Sequence, residues 1–345
     1  MKVKNYLKLM SLSTMFFMAI GLYNCKPTPS EPEVPKFEEG YKDVKLPEIT
    51  PTTPVAVTVT EGSIQQSAAV TDLANDLASG TITPAVTAAV TSMEKIISAD
   101  EAAKLTAAFT PEIIATMDSG GTIPANLKAQ LDAIASNPAF AAYTVTITYP
   151  TVNGKVVTGF VKETNTIGNE SIGVFPDFAV AQINSPCTDS ARAAYNRARA
   201  TLDAARIAQR DPITSTYNSA VSAANAAATT GKDGLPAKYK TLRAQATFTY
   251  YKRLGIAVAV SAAFYNFVAS IFLSNYHMEL RALDLWEKAE ESTYDIAAAT
   301  KISNATTARD ADYAKIQANY NAALAGMDVT LAASFQTCHD QGQGN

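Results

Sequence analysis

From Tyr313 to Cys338 the chain carries Tyr313, Ile316, Tyr320, Leu324, Met327, Leu331, Phe335 and Cys338, at steps of 3, 4, 4, 3, 4, 4 and 3. That spacing lays them along one stripe of an α-helix, close to the coiled-coil repeat, and the stripe is buried only if a second helix covers it. Ala191, Ala194, Ala198 and Ala205 give an earlier helical segment a narrow seam for close approach. Between Cys187 and Cys338 the pattern is helical almost throughout. Ser185-Pro186 opens one helix to Arg210, and Asp211-Pro212 caps a second to about Ala228. Gly231 to Pro236 reads as a break. A very long pattern then runs from Ala237 to about Thr300, and the last helix starts near Asn304. The expected fold is mainly α: an elongated antiparallel helical bundle with a small N-terminal helical subdomain and a β-hairpin insertion.

Composition agrees. Hydrophobic residues make up 47% of the chain and charged residues only 17%, below the roughly 25% of typical soluble domains. Ala and Thr fill the difference, as close helix packing and Thr-marked helix starts require. A net charge of −4 leaves no global basic field, so nucleic acid is not an expected partner. Two His and three Cys leave little from which to build a metal site or a His-based catalytic centre. No P-loop, GxGxxG, HExxH or GxSxG motif stands in the chain. The reading is a protein without enzymatic activity, metal or cofactor.

Ahead of the bundle, residues 61–140 read as short helices. Thr83-Pro84 and Thr110-Pro111 place Thr at the N-cap and Pro at the first helical position. Ile123-Pro124 repeats the Pro, and Ser98 with Glu101 forms a capping-box pattern. Val86, Val90, Met93 and Ile97, then Leu127, Leu131 and Ile134, recur at helical spacing. From Tyr143 to Tyr149 the period becomes two, and Asn153-Gly154 turns the chain into a second run, Lys155 to Lys162. This predicts a hairpin within a 141–186 hairpin-and-linker region, which packs on the helical subdomain or pairs with a third strand near Ile172 to Phe175.

The N-terminus supplies an address. Lys2, Lys4 and Lys8 precede an uncharged, mostly apolar stretch from Leu9 to Leu22, which ends at Leu22-Tyr23-Asn24-Cys25. The arrangement resembles the signal peptide and relaxed lipobox of spirochaetal, leptospiral-type lipoproteins, and departs from the usual bacterial pattern at Asn24, where a small residue is common. The resemblance is limited to this segment. It implies cleavage after residue 24, lipidation of Cys25 and attachment to the bacterial envelope, the outer membrane being the expected site, through an N-terminal lipid anchor. It implies no activity. Residues 25–60 are Pro-rich and of mixed charge, and read as a disordered tether. The expected layout is a signal peptide (1–24), the tether (25–60), the helical subdomain (61–140), the hairpin region (141–186) and the bundle (187–341).

Three constellations remain. With Cys25 lipidated, Cys187 and Cys338 form an even remainder in an exported protein, and a disulfide between them ties the two ends of the bundle. Arg192, Arg199 and Arg206 recur every seven residues, a basic stripe read as a solvated face with partners such as Asp189 and Asp203, or as a candidate docking face for an acidic partner or polyanion. The uncharged run Leu254 to Leu273, including Val260, Phe264 and Phe267, is about 30 Å long as a helix. It reads as a bundle core covered by the Ala seams and the Tyr313-to-Phe335 stripe, or alternatively as a membrane-inserting segment of a pore-former-like protein. His277 and His339 read as packing or surface residues. Glu38-Glu39 falls in the tether and Glu290-Glu291 on an exposed helix face.

Overall fold

The computed structural model describes residues 35–158, 185–258 and 262–340. Cys25, Val260 and the expected strand at Ile172 to Phe175 lie outside them. Two long helices packed together dominate: α6, Pro186–Ala257, and α7, Ala262–Asp340. The mainly α expectation therefore holds, but the bundle segments are joined differently. Pro212 and Pro236 lie inside α6, where each removes a backbone donor and costs about 3 kcal/mol. Burial beside them outweighs that cost: Ile213 is buried next to the first, and Leu235 and Tyr239 flank the second. Gly231 is a contact residue, not a breaker, because a Cβ there would overlap the Tyr294 ring. The reversal falls inside the apolar run instead: α6 ends at Ala257, and α7 continues unbroken past Thr300 and Asn304.

Three of the five short helices start on a capping side chain; Thr110 holds the N-cap of a fourth without a capping hydrogen bond, and Pro124, expected at the first helical position, stands at the N-cap of the fifth. In chain order the short helices are α1 (Ala68–Ala78), α2 (Pro84–Glu94), α3 (Ala99–Ala108), α4 (Pro111–Asp118) and α5 (Ala125–Ser136). Thr83 accepts from the Val86 amide, and Ser98 with Glu101 closes a reciprocal capping box. Ser67 caps α1 through the Val70 amide, a start that the Thr-Pro pattern did not mark. A 3₁₀ turn, Pro138–Tyr143, follows α5.

The strands are β1 (Val59–Thr60), β2 (Ser63–Gln65), β3 (Thr146–Thr148), β4 (Thr151–Val152) and β5 (Lys155–Val156). Asn153 and Gly154, at φ 49° and 76°, make the expected tight turn, and among the described residues the hairpin that they close is β4–β5. The alternating run before them pairs with residues ahead of α1: Val59 faces Val152 and Ser63 faces Thr148 in antiparallel register. One register runs through both pairings, and the ladder is interrupted beside Pro150, which has no N–H to donate. The third strand is thus supplied by residues assigned to the tether.

That tether assignment is corrected for residues 35–60. Tyr41 and Leu46 are buried. Gln209 Nε2 donates to the Pro47 carbonyl at 2.9 Å, and Arg197 pairs with Glu38. Further on, Asp312 accepts from the Thr52 amide and hydroxyl, both at 2.6 Å, and Asn304 Nδ2 donates to the Val55 carbonyl at 2.9 Å. Pro lowers the entropy lost on ordering this strap of residues 35–58, and helix side chains supply the donors and acceptors that a sheet would otherwise provide.

Two compact units result. One draws on residues 1–49, 171–211 and 313–345; the other on 50–170 and 212–312. The cut crosses both long helices, and the expected 61–140 subdomain has no core of its own. Val70, Leu73, Met93 and Leu131 share a single apolar cluster with Tyr239, Tyr250, Phe272 and Trp286.

Two glycines on one turn of α6 test this packing. Gly231→Ala drives a methyl into the Tyr294 ring and should destabilise the protein by about 1–3 kcal/mol. Gly234→Ala meets nothing within 4 Å and should stabilise it by about 0.5–1 kcal/mol through helix propensity. Urea denaturation of the two variants should move the midpoint in opposite directions.

Candidate functional site

In the first unit, Ser185 caps α6 by accepting from the Thr188 amide at 3.2 Å, which sets Cys187 in the first turn. Its sulfur lies 2.02 Å from that of Cys338, with the Cα atoms 5.7 Å apart and both side chains fully buried. The expected cysteine pair is therefore brought together.

The arginine stripe is not a free docking face. The Arg192 guanidinium lies 5.5 Å from the Phe335 ring centre and that of Arg206 4.3 Å from Tyr320, while Arg210 stands 4.4 Å from Tyr313. Burial works against the Arg199 cation, but a hydrogen bond to Tyr320 and the neighbouring Tyr195 outweigh it and raise its pKa. Tyr320 in turn donates to Asp203 at 2.7 Å, and Tyr195 donates to Asp328 at 2.8 Å. Burial together with that bond pushes the Tyr195 phenol up to about 12. The basic stripe thus stacks on the aromatic stripe of α7. Each stack contributes on the order of 0.5–1 kcal/mol where it remains partly wet. Sequence spacing showed both stripes but not that they face each other.

In the second unit the apolar run Leu254 to Leu273 does not form one helix. Leu254 and Phe264 are half-buried, and Phe267, Val268, Ile271, Phe272 and Leu273 are buried. Their cover is the layer of short helices α1–α5, not the expected Ala seams and Tyr313-to-Phe335 stripe. No helix among the described residues is long and apolar enough to cross a membrane.

Polar clasps join the short helices to the long ones around this run. Arg253, buried, donates from Nη1 to Asn275 Oδ1 at 3.0 Å, and Asn275 Nδ2 donates to the Tyr143 carbonyl at 3.0 Å. Burial lowers the Arg253 pKa and raises that of Glu279 nearby. Asp132, on α5, meets three cationic or titratable groups: Lys128 Nζ at 2.6 Å, His277 Nε2 at 3.0 Å and Arg281 Nη1 at 2.5 Å. Burial opposes the Asp132 charge, but the hydrogen bonds from Lys128 and His277 and the field of Arg281 outweigh it and hold the carboxyl at about 2. Burial pushes the His277 pKa below its usual value despite its bond to Asp132. Thr247 Oγ1 bridges Asp118 at 2.7 Å and the Tyr276 hydroxyl at 2.8 Å.

Position also decides Glu290 and His339. Glu290 is buried, not on an exposed face: Lys238 Nζ pairs with it at 2.7 Å, and the Tyr239 hydroxyl donates to it at 2.8 Å. His339 is exposed beside Asp340, at 3.8 Å. An open cleft of about 330 Å³ lies between Pro54–Val57 of the strap and Ala220, Ala223 and Ala224 of α6, with Lys301 at its rim. Among the described residues, no group of three or more His, Cys, Asp or Glu could hold a metal ion. The chemistry on view is that of interlocking surfaces.

No family model, curated protein or solved structure matches the chain.

The Asp132 clasp carries a pH signature. Its folded pKa lies below the unfolded value of 3.8, so it contributes stability above that pH and loses it as pH falls through about 2. The shift corresponds to at most about 2.5 kcal/mol, and partial exposure reduces this to about 1–2 kcal/mol. Asp132→Asn should lower stability by that amount at pH 7, and denaturation titrations toward pH 2 should see the gap to wild type close.

Proposed function

We propose that this protein is a non-enzymatic, lipid-anchored component of a bacterial envelope, held through Cys25 and exposing a helical body for structural or binding contacts. The observation that carries the reading is the signal-like N-terminus ending at Leu22-Tyr23-Asn24-Cys25, together with the short distance from it to the folded body. Ten residues after Cys25 the chain is already seated on that body: Ser190 Oγ donates to the Pro35 carbonyl at 3.3 Å, one turn of α6 from Cys187. Ten residues span at most about 35 Å. An acyl chain on Cys25 therefore leaves the cysteine-paired helix ends within that distance of the lipid surface.

A non-catalytic role is supported by how the candidate chemical groups are used. The arginine stripe is stacked on aromatic rings, Glu290 is paired with Lys238 and Tyr239, and Asp132 is ringed by Lys128, His277 and Arg281. Each of these arrangements contributes to packing two elements together. A disulfide between Cys187 and Cys338 suits an exported protein, since it limits the unfolded chain by closing a loop of 151 residues.

Two measurements test this function. Mass spectrometry of the mature protein from its native envelope should find a diacylglyceryl-modified Cys25 at the N-terminus; an unmodified start at any other residue overturns the anchor. Thiol labelling of the same material should reach Cys187 and Cys338 only after reduction, and the reduced protein should be less stable by about 2–5 kcal/mol.

A further inference from the structure

In the second unit the strap does not close onto α6. Between them lies the cleft of about 330 Å³, with Ala220, Ala223 and Ala224 on the helix wall and Val55 and Val57 on the strap wall. Both walls are held in place. Asn304 Nδ2 holds the Val55 carbonyl at 2.9 Å, and Val57 packs on Val152, Val157 and Ala297. Ala224 is buried and packs with Ala228 and Ala298. The gap therefore belongs to the packed fold: methyl side chains stand where larger ones would fill it. At the ~30 Å³ that one water takes up in the liquid, it has room for about ten non-hydrogen atoms.

Its chemistry is narrow. Pro, Val and Ala side chains line it and offer no hydrogen bond, and the neighbouring Asn304 amide is committed to Val55. A sugar, nucleotide or peptide would leave polar groups without partners there, whereas an alkyl chain asks only for apolar walls. The charged side chain at the rim is Lys301, which is exposed. No acid stands in residues 49–60, 144–158, 212–232 or 296–309, the stretches that form or back the cleft. The flanking acids on α7 are engaged: Asp295 pairs with Lys232 at 2.6 Å and Asp310 with Arg309 at 2.7 Å. Among the described residues, a positive charge without an acidic partner thus stands beside an apolar gap. We infer that the cleft binds an aliphatic monocarboxylate, a medium-chain fatty acid, with its chain between the strap valines and the α6 alanines and its carboxylate at Lys301 Nζ. One cation suits one carboxylate, while a phosphate dianion would ask for further donors that the lining lacks. The site does not depend on the Cys25 anchor.

The test uses a chain running from Lys26 to Asn345, which contains every described residue and carries no acyl chain of its own, so its outcome is separate from that of the anchor. Titration calorimetry with butyrate, hexanoate and octanoate should show one saturable site whose affinity rises by about two- to fourfold per added methylene. Ala223→Leu, at an exposed position of α6, fills the gap and should lower octanoate affinity by roughly tenfold with an unchanged circular dichroism spectrum. Lys301→Gln should weaken octanoate by about three- to fivefold and leave 1-octanol, which has the same chain and no charge, unaffected. Absence of saturable octanoate binding overturns the inference, as does binding that Ala223→Leu leaves unchanged. Octyltrimethylammonium binding as tightly as octanoate overturns the carboxylate assignment, and so does an equal loss of octanol binding in Lys301→Gln.

Discussion

Neither long helix is sustainable without the other. Helix α6 carries Pro212 and Pro236 in its interior and exposed glycines at Gly234 and Gly255, a local cost of several kcal/mol that no intrahelical pairing repays. Helix α7 is apolar along a stripe that water would meet if it stood alone. The cost is met where the two are locked side by side. In the first unit the lock is the cysteine pair with the arginine-on-aromatic stacks. In the second it is the Tyr294 ring against Gly231, Lys238 and Tyr239 on Glu290, and the Tyr250 and Tyr276 rings stacked 4.9 Å apart. Within each unit these rungs run in antiparallel order. A slip of one residue in either unit would swing its rungs by about 100° around the helix and undo them together.

This locking also explains where the polar groups went. A bundle whose helices are rich in Ala leaves little bulk for side-chain selectivity, so register needs directional contacts. Stacked guanidinium groups and hydrogen-bonded Tyr–Asp pairs are directional, whereas Ala against Leu is not. The short-helix layer uses the same device. Its apolar contacts would tolerate sliding over α6 and α7, but Asp132, Asn275 and Arg253 accept only one placement. A charged residue buried with its partners is modest support for stability and stronger support for a single arrangement, and a single arrangement is what these clasps supply.

The sequence showed the local features and concealed the long-range ones, for physical reasons. Caps at Thr83 and Ser98, the Asn153-Gly154 turn, the Tyr313-to-Cys338 stripe and the Cys187–Cys338 pairing rest on short spacings or parity, and all are present. The chain reversal after Ala257 was invisible because residues 258–262 hold no Gly, Pro, Asn or Asp, and an apolar stretch without them continues a helical pattern through any turn. Conversely, Pro212, Gly231 and Pro236 looked like breaks because propensity is local while the burial that overrides it is tertiary. The arginine stripe was legible as a stripe; that aromatic rings would cover it required knowing that the helix carrying Tyr313, Tyr320 and Phe335 returns antiparallel beside it. Glu290 and the Asp132 clasp left no signal, since isolated acidic residues on a helix look alike whether they meet water or a buried tyrosine.

The strap is where composition misled most, and where the correction matters for how the body meets its surroundings. Proline-rich segments are read as disordered because they cannot join a helix or a sheet interior, but that argument concerns pairing with regular structure. A groove beside two helices asks for something else: an extended backbone, few donors to satisfy and occasional apolar side chains. Residues 35–58 offer that, with Tyr41 and Leu46 as anchors and carbonyls at Pro35, Pro47 and Val55 accepting from Ser190, Gln209 and Asn304. The unfolded strap is already stiff, so ordering it forfeits less entropy than a flexible linker would. With an acyl chain on Cys25, a pull from the membrane would act first on the Pro35–Ser190 and Glu38–Arg197 contacts, beside the cysteine-paired helix ends. On that proposal the cysteine pair would sit at the point where applied force enters the fold, whereas at mid-helix it would only duplicate the stacking rungs.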